Sequence, residues 1–337
     1  MKVLFIGGTG LISTACSQMA LDRGIELDIL NRGKTHKHDV PVGAQLLVGD
    51  IHGDRAALEK ALGDTHYDAV VDWVAFTPAD IEADINLFAG RTRQFMFISS
   101  ASVYQKPPNH YLITEDTPLA NPHWAYSQNK IACEERLMRE YRERGFPITI
   151  VRPSLTYGVS QIPMIMGSWQ HPWTLVDRML RGQKVIVPGD GTSLWPLTWN
   201  GDFAKGLVGL LGREQTIGHA FHITSDEVLS WEQIYIELAH ALGVEPKIAH
   251  ISSELIAAHD PTSYGSLIGD KIYSVVFDNT KIKRFVPDYV ATVPWTEGVR
   301  RALAWFRADP ARQTIDAPAI ALWDKIITAY ERAWPTS

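Results

Sequence analysis

Cysteine is nearly missing from this chain: two in 337 residues, Cys16 and Cys133, far apart in sequence. Both fall in segments that read as helices, so a disulfide framework or a zinc cluster has no support, and reduced core thiols and no metal site are expected. No apolar run is long enough for a signal-peptide core or a membrane span; the first, Val3-Leu4-Phe5-Ile6, is cut at once by Gly7-Gly8. A cytoplasmic location away from membranes is therefore expected. Positive charge is also short. Thirty-two Lys and Arg stand against 38 Asp and Glu, a formal charge of −6, which offers no basic field for a nucleic acid. Internal repeats and low-complexity tracts are absent as well.

What is present is alternation. Short apolar runs at Val3 to Ile6, Leu27 to Leu30, Gln45 to Val48, Ala69 to Trp73, Phe95 to Ile98 and Ile148 to Val151 are separated by helical stretches, the pattern of a parallel sheet. Continuous apolarity predicts that helices cover both faces of the strands. The fold class is thus α/β, a Rossmann-type doubly wound parallel sheet with a smaller, mixed C-terminal substrate domain. Residues 1–157 form the first domain, rejoined by about 198–228, while 158–197 and 229–337 form the second. After Gly158, four prolines (163, 172, 188, 196) and four tryptophans (169, 173, 195, 199) suit loops and short elements closing over a substrate. Helices are expected from Ser230 to Leu242, capped by Asp226 or Ser230, and from Trp295 to Phe306.

Gly7-Gly8-Thr9-Gly10-Leu11-Ile12-Ser13 follows the first strand and opens a helix. This context lets the backbone approach a pyrophosphate at a helix N-terminus, with Ser13 where a third glycine is usual. The second strand ends in Asn31-Arg32. Asparagine removes the charge that would repel a 2′-phosphate and Arg32 could pair with one, so NADP(H) is favoured over NAD(H); otherwise Arg32 stacks on adenine or lies in solvent. Asp50, ahead of Ile51 at the end of the third strand, could accept from an adenine amino group or serve as a turn aspartate. Tyr126 and Lys130, spaced i, i+4, share a helix face, and Ser100 stands where a strand ends, the position at which open α/β sheets bind ligands. Val151-Arg152-Pro153-Ser154 should empty beside them.

The ordered set Gly-Gly-Thr-Gly-Leu-Ile, Ser99-Ser100-Ala101-Ser102-Val103-Tyr104, Tyr-x-x-x-Lys and Arg152-Pro-Ser-Leu-Thr-Tyr-Gly158 resembles an extended short-chain dehydrogenase/reductase, more narrowly the NAD-dependent epimerase/dehydratase family. The likeness runs on through Gly189-Asp190-Gly191-Thr192, Asp202, Gly269-Asp270 and Asp278-Asn279-Thr280-Lys281. It implies Tyr126 as general acid/base, Lys130 as its pKa depressor and ribose ligand, and Ser100 as partner of the reacting oxygen. It places Gly7, Thr9, Gly10, Leu11, Ile12, Ala75, Ser99 and Pro153 along the cofactor, and implies a homodimer.

Two departures matter. Where nucleotide-sugar enzymes of the family place diphosphate-binding arginines, this chain has Trp195 and the segment Ser266-Leu267-Ile268, with Lys271 the close cation. A substrate lacking a diphosphate is therefore open. Ala101 and Ser102 stand where a dehydratase would carry acidic residues, which lowers that option. Ser102, Trp169 and Trp195 are candidate substrate contacts, the tryptophans as stacking faces or as plain core. His123 and His171 are extra donors or simply loop histidines. The expected function is hydride transfer at a secondary alcohol or ketone of a sugar, sugar nucleotide or sugar-like molecule. The alternatives are an NADPH-dependent carbonyl reductase of a non-nucleotide small molecule, and a non-catalytic NADP(H)- or RNA-binding protein.

Overall fold

In the computed structural model, which describes residues 1–33 and 38–333, seven parallel strands form one sheet. In chain order they are β1 (Lys2–Ile6), β2 (Glu26–Asn31), β3 (Gln45–Val48), β4 (Ala69–Asp72), β5 (Phe95–Ile98), β6 (Ile148–Pro153) and β7 (Ala220–Ile223). Their spatial order is 3-2-1-4-5-6-7. The chain thus winds one way from β1 to β3, returns to the middle, and winds the other way from β4. That reversal opens a crevice beyond the C-terminal ends of β1 and β4.

Period-2 alternation distributes each strand between two cores. Val3 and Phe5 of β1, with Met96 and Ile98 of β5, pack against α1 (Ser13–Asp22) and a later helix, Asn200–Leu210, through Cys16, Phe203 and Leu207. Leu4, Ile6, Phe95 and Phe97 face the other way, toward α2 (Arg55–Leu62), α3 (Pro78–Phe88) and α4 (Ala125–Arg144), through Leu58, Ile81, Cys133 and Leu137. Both cysteines are free and buried in these layers. The expectation of cover on both faces fails at β3, where Leu46 and Val48 are exposed, because β3 is an edge strand.

A third apolar cluster is built largely from residues beyond Gly158, including Trp173, Trp195, Trp231, Trp295 and Trp323. Its helices are α5 (Trp173–Leu180), α7 (Trp231–Leu242) and a later helix, Trp295–Arg307, whereas α6 (the helix Asn200–Leu210 above) belongs to the core against α1. Ser230 rather than Asp226 caps α7, in a reciprocal box with Gln233. The proline- and tryptophan-rich stretch is therefore a packed layer more than a set of loops. Trp173 lies against Phe306 and Trp199 against Tyr157.

One buried polar network ties α4 to the sheet. Glu134 of α4 accepts from the Arg152 guanidinium of β6 (Nη2 to Oε2, 2.6 Å; Nε to Oε1, 3.0 Å) and from Ser99 Oγ at 2.5 Å. The same guanidinium lies 4.9 Å from the Tyr104 ring centroid, and Tyr104 Oη is 3.0 Å from His222 Nδ1 of β7. Removing one member of such a pair strands a buried charge, so Glu134→Ala should lower unfolding stability by about 3 to 5 kcal/mol. Chemical denaturation measures this; a loss below about 1 kcal/mol, the scale of a surface pair, would contradict the anchoring role.

Candidate active site

The crevice holds two cavities at the C-terminal ends of the strands. The first, of about 410 Å³, is walled by Gly7, Thr9 and Gly10, by Asn31 and Arg32, by Asp50, Ile51 and His52, and by Val74 and Phe76. Gly7 has φ +88°, and a Cβ there would stand 2.6 Å from Val74 Cγ1, so only glycine brings the chain this close to the loop after β4. Ser13 takes the place of a third glycine without blocking the turn. Its Oγ accepts from Gly10 N–H at 2.8 Å and donates to Gly7 O at 2.9 Å, cross-linking the loop.

The first turn of α1 has no side-chain cap; Thr14 N–H bonds Gly10 O at 3.0 Å, and the positive end of the helix faces the glycine turn, where an anion is favoured. The open N-terminus and the glycine cradle together fit a dinucleotide pyrophosphate. Leu11 O accepts from Asn200 Nδ2 at 2.9 Å, and Ile12 packs on the adjoining core. Asn31 Oδ1 accepts from Gly33 N–H, while Arg32 is exposed at the rim. Asp50 combines both sequence readings, since it lines the cavity and also closes a turn by accepting from His52 N–H.

The second cavity, of about 360 Å³, is lined by Ser100, Ser102, Tyr126, Pro153 and Ser154 on the sheet side, and across from them by Lys106, Trp124, Trp169, Trp195, Asp270 and Lys271. Ser100 and Tyr126 therefore open on one space. Burial pushes the Tyr126 phenol pKa up, with the nearby Ser100 hydroxyl opposing and Asp270 adding to the rise. Ser100 Oγ is also 2.9 Å from Ser102 Oγ, which accepts from Ser127 Oγ at 2.7 Å.

Lys130 stands behind Tyr126, one helical turn on. Its Nζ donates to Ala75 O at 2.7 Å and to Ile98 O at 2.8 Å, the carbonyls that end β5 and follow β4. It lies 4.6 Å from the Phe76 ring centroid and 6.0 Å from that of Tyr126. Burial pulls its pKa down to about 8, against the opposing pull of Asp72 and smaller upward contributions from Cys133, Glu134 and Asp80. Phe76 joins the two spaces: it walls the first cavity, and its ring is 6.4 Å from that of Tyr126 in the second. Ala75 thus acts through its backbone, and Ser99 commits its hydroxyl to Glu134.

Among the candidate substrate residues, Ser102, Trp169 and Trp195 line the second cavity. His123 lies instead beside Tyr264, with ring centroids 6.3 Å apart, and His171 lies near Asp316. Sequence reasoning did not single out Phe76, Lys106, Ser154 or Asp270 for the site. Ser154 Oγ is buried without a partner among the described residues, at the point where the Arg-Pro-Ser stretch leaves β6. That stretch was the available signal for it.

Comparison with known proteins bears on this arrangement. A family model described as the NAD dependent epimerase/dehydratase family matches residues 3–224. The chain is 22% identical over 331 residues to a UDP-N-acetyl-alpha-D-glucosaminuronate decarboxylase of Bacillus cytotoxicus, covering 91% of this chain and 98% of that protein. It is 24% identical over 222 residues to a 2'-dehydrokanamycin reductase of Streptomyces kanamyceticus, covering 66% of this chain and 61% of that one. The fold is similar to that of a UDP-glucuronic acid 4-epimerase of Bacillus cereus solved with UDP-glucuronic acid and NAD, with a TM-score of 0.73, 20% identity, and 91% and 99% of the two chains covered. With the family model spanning the whole sheet and its glycine turn, the chain belongs to the NAD dependent epimerase/dehydratase family.

Proposed function

We propose that the protein is a nicotinamide-dependent oxidoreductase that interconverts a secondary alcohol and a ketone on a sugar or sugar-like small molecule, with Tyr126 as the acid/base. The observation that carries this reading is the joint opening of Ser100 and Tyr126 onto one cavity, with Lys130 directly behind. A bound nicotinamide dinucleotide supplies the hydride acceptor or donor. The chain's own groups do the rest. Tyr126 Oη gives its proton to a substrate carbonyl oxygen, or takes one from a hydroxyl, while the Ser100 hydroxyl fixes that oxygen's position. Two of the three ammonium donors of Lys130 are used on Ala75 O and Ile98 O, leaving one for a ribose hydroxyl. The expected lowering of the phenol pKa by Lys130 is not seen without cofactor: burial holds the Tyr126 pKa above its ordinary value, and the ammonium stands 6.0 Å from the ring centroid.

For the cofactor, several solved structures of similar fold hold NAD, which supports NAD(H) and lends no support to the NADP(H) preference expected from Asn31-Arg32. Arg32 is exposed, so an adenosine 2′-hydroxyl leaves it in solvent. A second reading is a carbonyl reductase for a non-nucleotide small molecule. It is favoured by the absence of arginine from the lining of the second cavity, since a diphosphate is usually clamped by such forked donors.

Tyr126→Phe should cut turnover by roughly 10² to 10⁴-fold, as expected on losing a positioned acid. Product NMR on UDP-glucuronate, glucuronate and their neutral counterparts checks this, and undiminished turnover would refute the acid/base role. Calorimetric titration of stripped protein should show NADH bound more tightly than NADPH, with Arg32→Ala changing the NADH affinity less than about 3-fold, as for a solvated side chain. A clear NADPH preference abolished in Arg32→Ala would reverse the cofactor assignment.

The pKa of Lys130 gives a third expectation, for cofactor-free protein. Between pH 8 and 10.5 the native lysine has released a proton that the unfolded chain keeps, so its contribution to stability rises with pH and is lost as pH falls through 8. The stability difference between the parent and Lys130→Met should therefore climb over that window in denaturant titrations. A flat difference would mean that Lys130 titrates as in water.

A further inference from the structure

The second cavity carries more positive charge than it neutralises. Lys106 and Lys271 both line it and both are buried, against one carboxylate, Asp270. Lys106 has its counter-charge, with Nζ 3.3 Å from Asp270 Oδ1. Lys271, the next residue after Asp270, does not. Among the described residues its ammonium makes no hydrogen bond or ion pair, and its neighbours are aromatic: Nζ is 5.9 Å from the ring centroids of both Trp124 and Trp169. Indole faces offset part of the desolvation of a cation, but they do not accept three N–H donors as an anion's oxygens do. Burial draws the Lys271 pKa down, with Asp270 opposing and Lys106 adding to the fall, as for a cation short of counter-charge.

The placement is specific. Asn121 Nδ2 bridges Ser102 O at 2.8 Å and Gly269 O at 2.7 Å, pinning the Asp270-Lys271 segment to the serine loop of the site. Gly265, whose Cβ would stand 2.2 Å from Trp124 Cδ1, lets the indole lie against the same segment. The ring of Trp124 is in turn 4.9 Å from that of Tyr126. The Trp124 indole thus neighbours both the unpaired cation and the phenol, and all three line one cavity, so a single small molecule can meet Tyr126 with its carbinol and Lys271 with an anion.

We propose that Lys271, flanked by Trp124 and Trp169, anchors a carboxylate on the substrate, so that the site selects an acidic, monoanionic sugar-like alcohol or ketone. One unmatched cation fits a monoanion better than a diphosphate. The proposal rests on the reading of this cavity as the substrate site beside Tyr126.

The test is calorimetric binding to the NAD-loaded protein of matched pairs: D-glucuronate against D-glucuronamide, D-galacturonate against its amide, and UDP-glucuronate against UDP-glucose. At least one free uronate should bind at least about tenfold more tightly than its amide, the scale of a charge-assisted contact, whereas a preference confined to the UDP pair would overturn the monoanion. Lys271→Met and Lys271→Gln should both erase that preference, Lys271→Arg should keep most of it, and Tyr126→Phe should leave it intact. NADH titration of each variant verifies that the fold and the cofactor cavity persist. Equal binding of acid and neutral partners across all pairs, or a preference that survives in the folded Lys271→Met and Lys271→Gln proteins, overturns the proposal. Failure of the parent protein to bind NADH, or turnover indifferent to Tyr126, overturns the oxidoreductase reading instead, so the two failures are told apart.

Discussion

A buried ammonium clasped by the carbonyls of Ala75 and Ile98 sets the geometry on which the rest of this site depends. Those carbonyls lie just past β4 and at the end of β5, neighbouring strands at the centre of the sheet. Lys130 reaches them from α4, so the helix cannot slide along the sheet without breaking two charge-assisted bonds in a poorly solvated place. Tyr126, one turn earlier, is thereby held above the crevice. Glu134, one turn later, repeats the device with Arg152 and Ser99 on β6 and the end of β5. Three successive turns of one helix are pinned or functional, each through a side chain spaced four residues from the last.

This arrangement has an electrostatic cost that the fold spreads out. Lys130 is held charged by carboxylates around it, Asp72 foremost, and by the face of Phe76. Asp72 also accepts from the N–H groups of Val74 and Ala75, fixing the loop that carries the Ala75 carbonyl and the Phe76 ring. The same loop closes against Gly7, where any side chain on the glycine would strike Val74. The cofactor cradle and the proton-transfer group therefore share a wall. A shift of that loop would move both together, which gives physical content to grouping them as one site.

Much of this was legible in the sequence because it is local. Six of the seven strands lie where apolar runs stop at glycine or polar residues, and the Ser100, Tyr126 and Lys130 set follows from strand-end position and helical spacing. β7 escaped because its four residues include His222, whose burial is explained only by partners distant in the chain, Tyr104 and the Asp278 carbonyl. The edge position of β3 escaped for a related reason: an apolar run does not reveal which neighbours it lacks. The tryptophans mark the limit of composition most clearly. Trp169 faces the cavity, Trp173 is core and Trp195 is both, and nothing in their spacing separates them.

The far wall of the second cavity was the least legible part, since Lys106, Trp124, Asp270 and Lys271 come from segments up to 165 positions apart, brought together by the Asn121 bridge and the close approach at Gly265. Its chemistry follows from burial more than from residue type. A lysine on a surface is satisfied by water and says little, whereas a buried lysine beside two indoles, sharing its one neighbouring aspartate with another lysine, retains a field that this carboxylate only partly offsets. In the cavity that Ser100 and Tyr126 also line, that residual field acts on whatever enters. It stabilises an anion in the bound state and disfavours a second cation, so in the proposed function selectivity and catalysis fall to different neighbours of the Trp124 ring. In the proposed function the sheet side supplies the reaction, and the far side, where Trp195 and Lys271 stand in place of the family's arginines, supplies the choice of substrate.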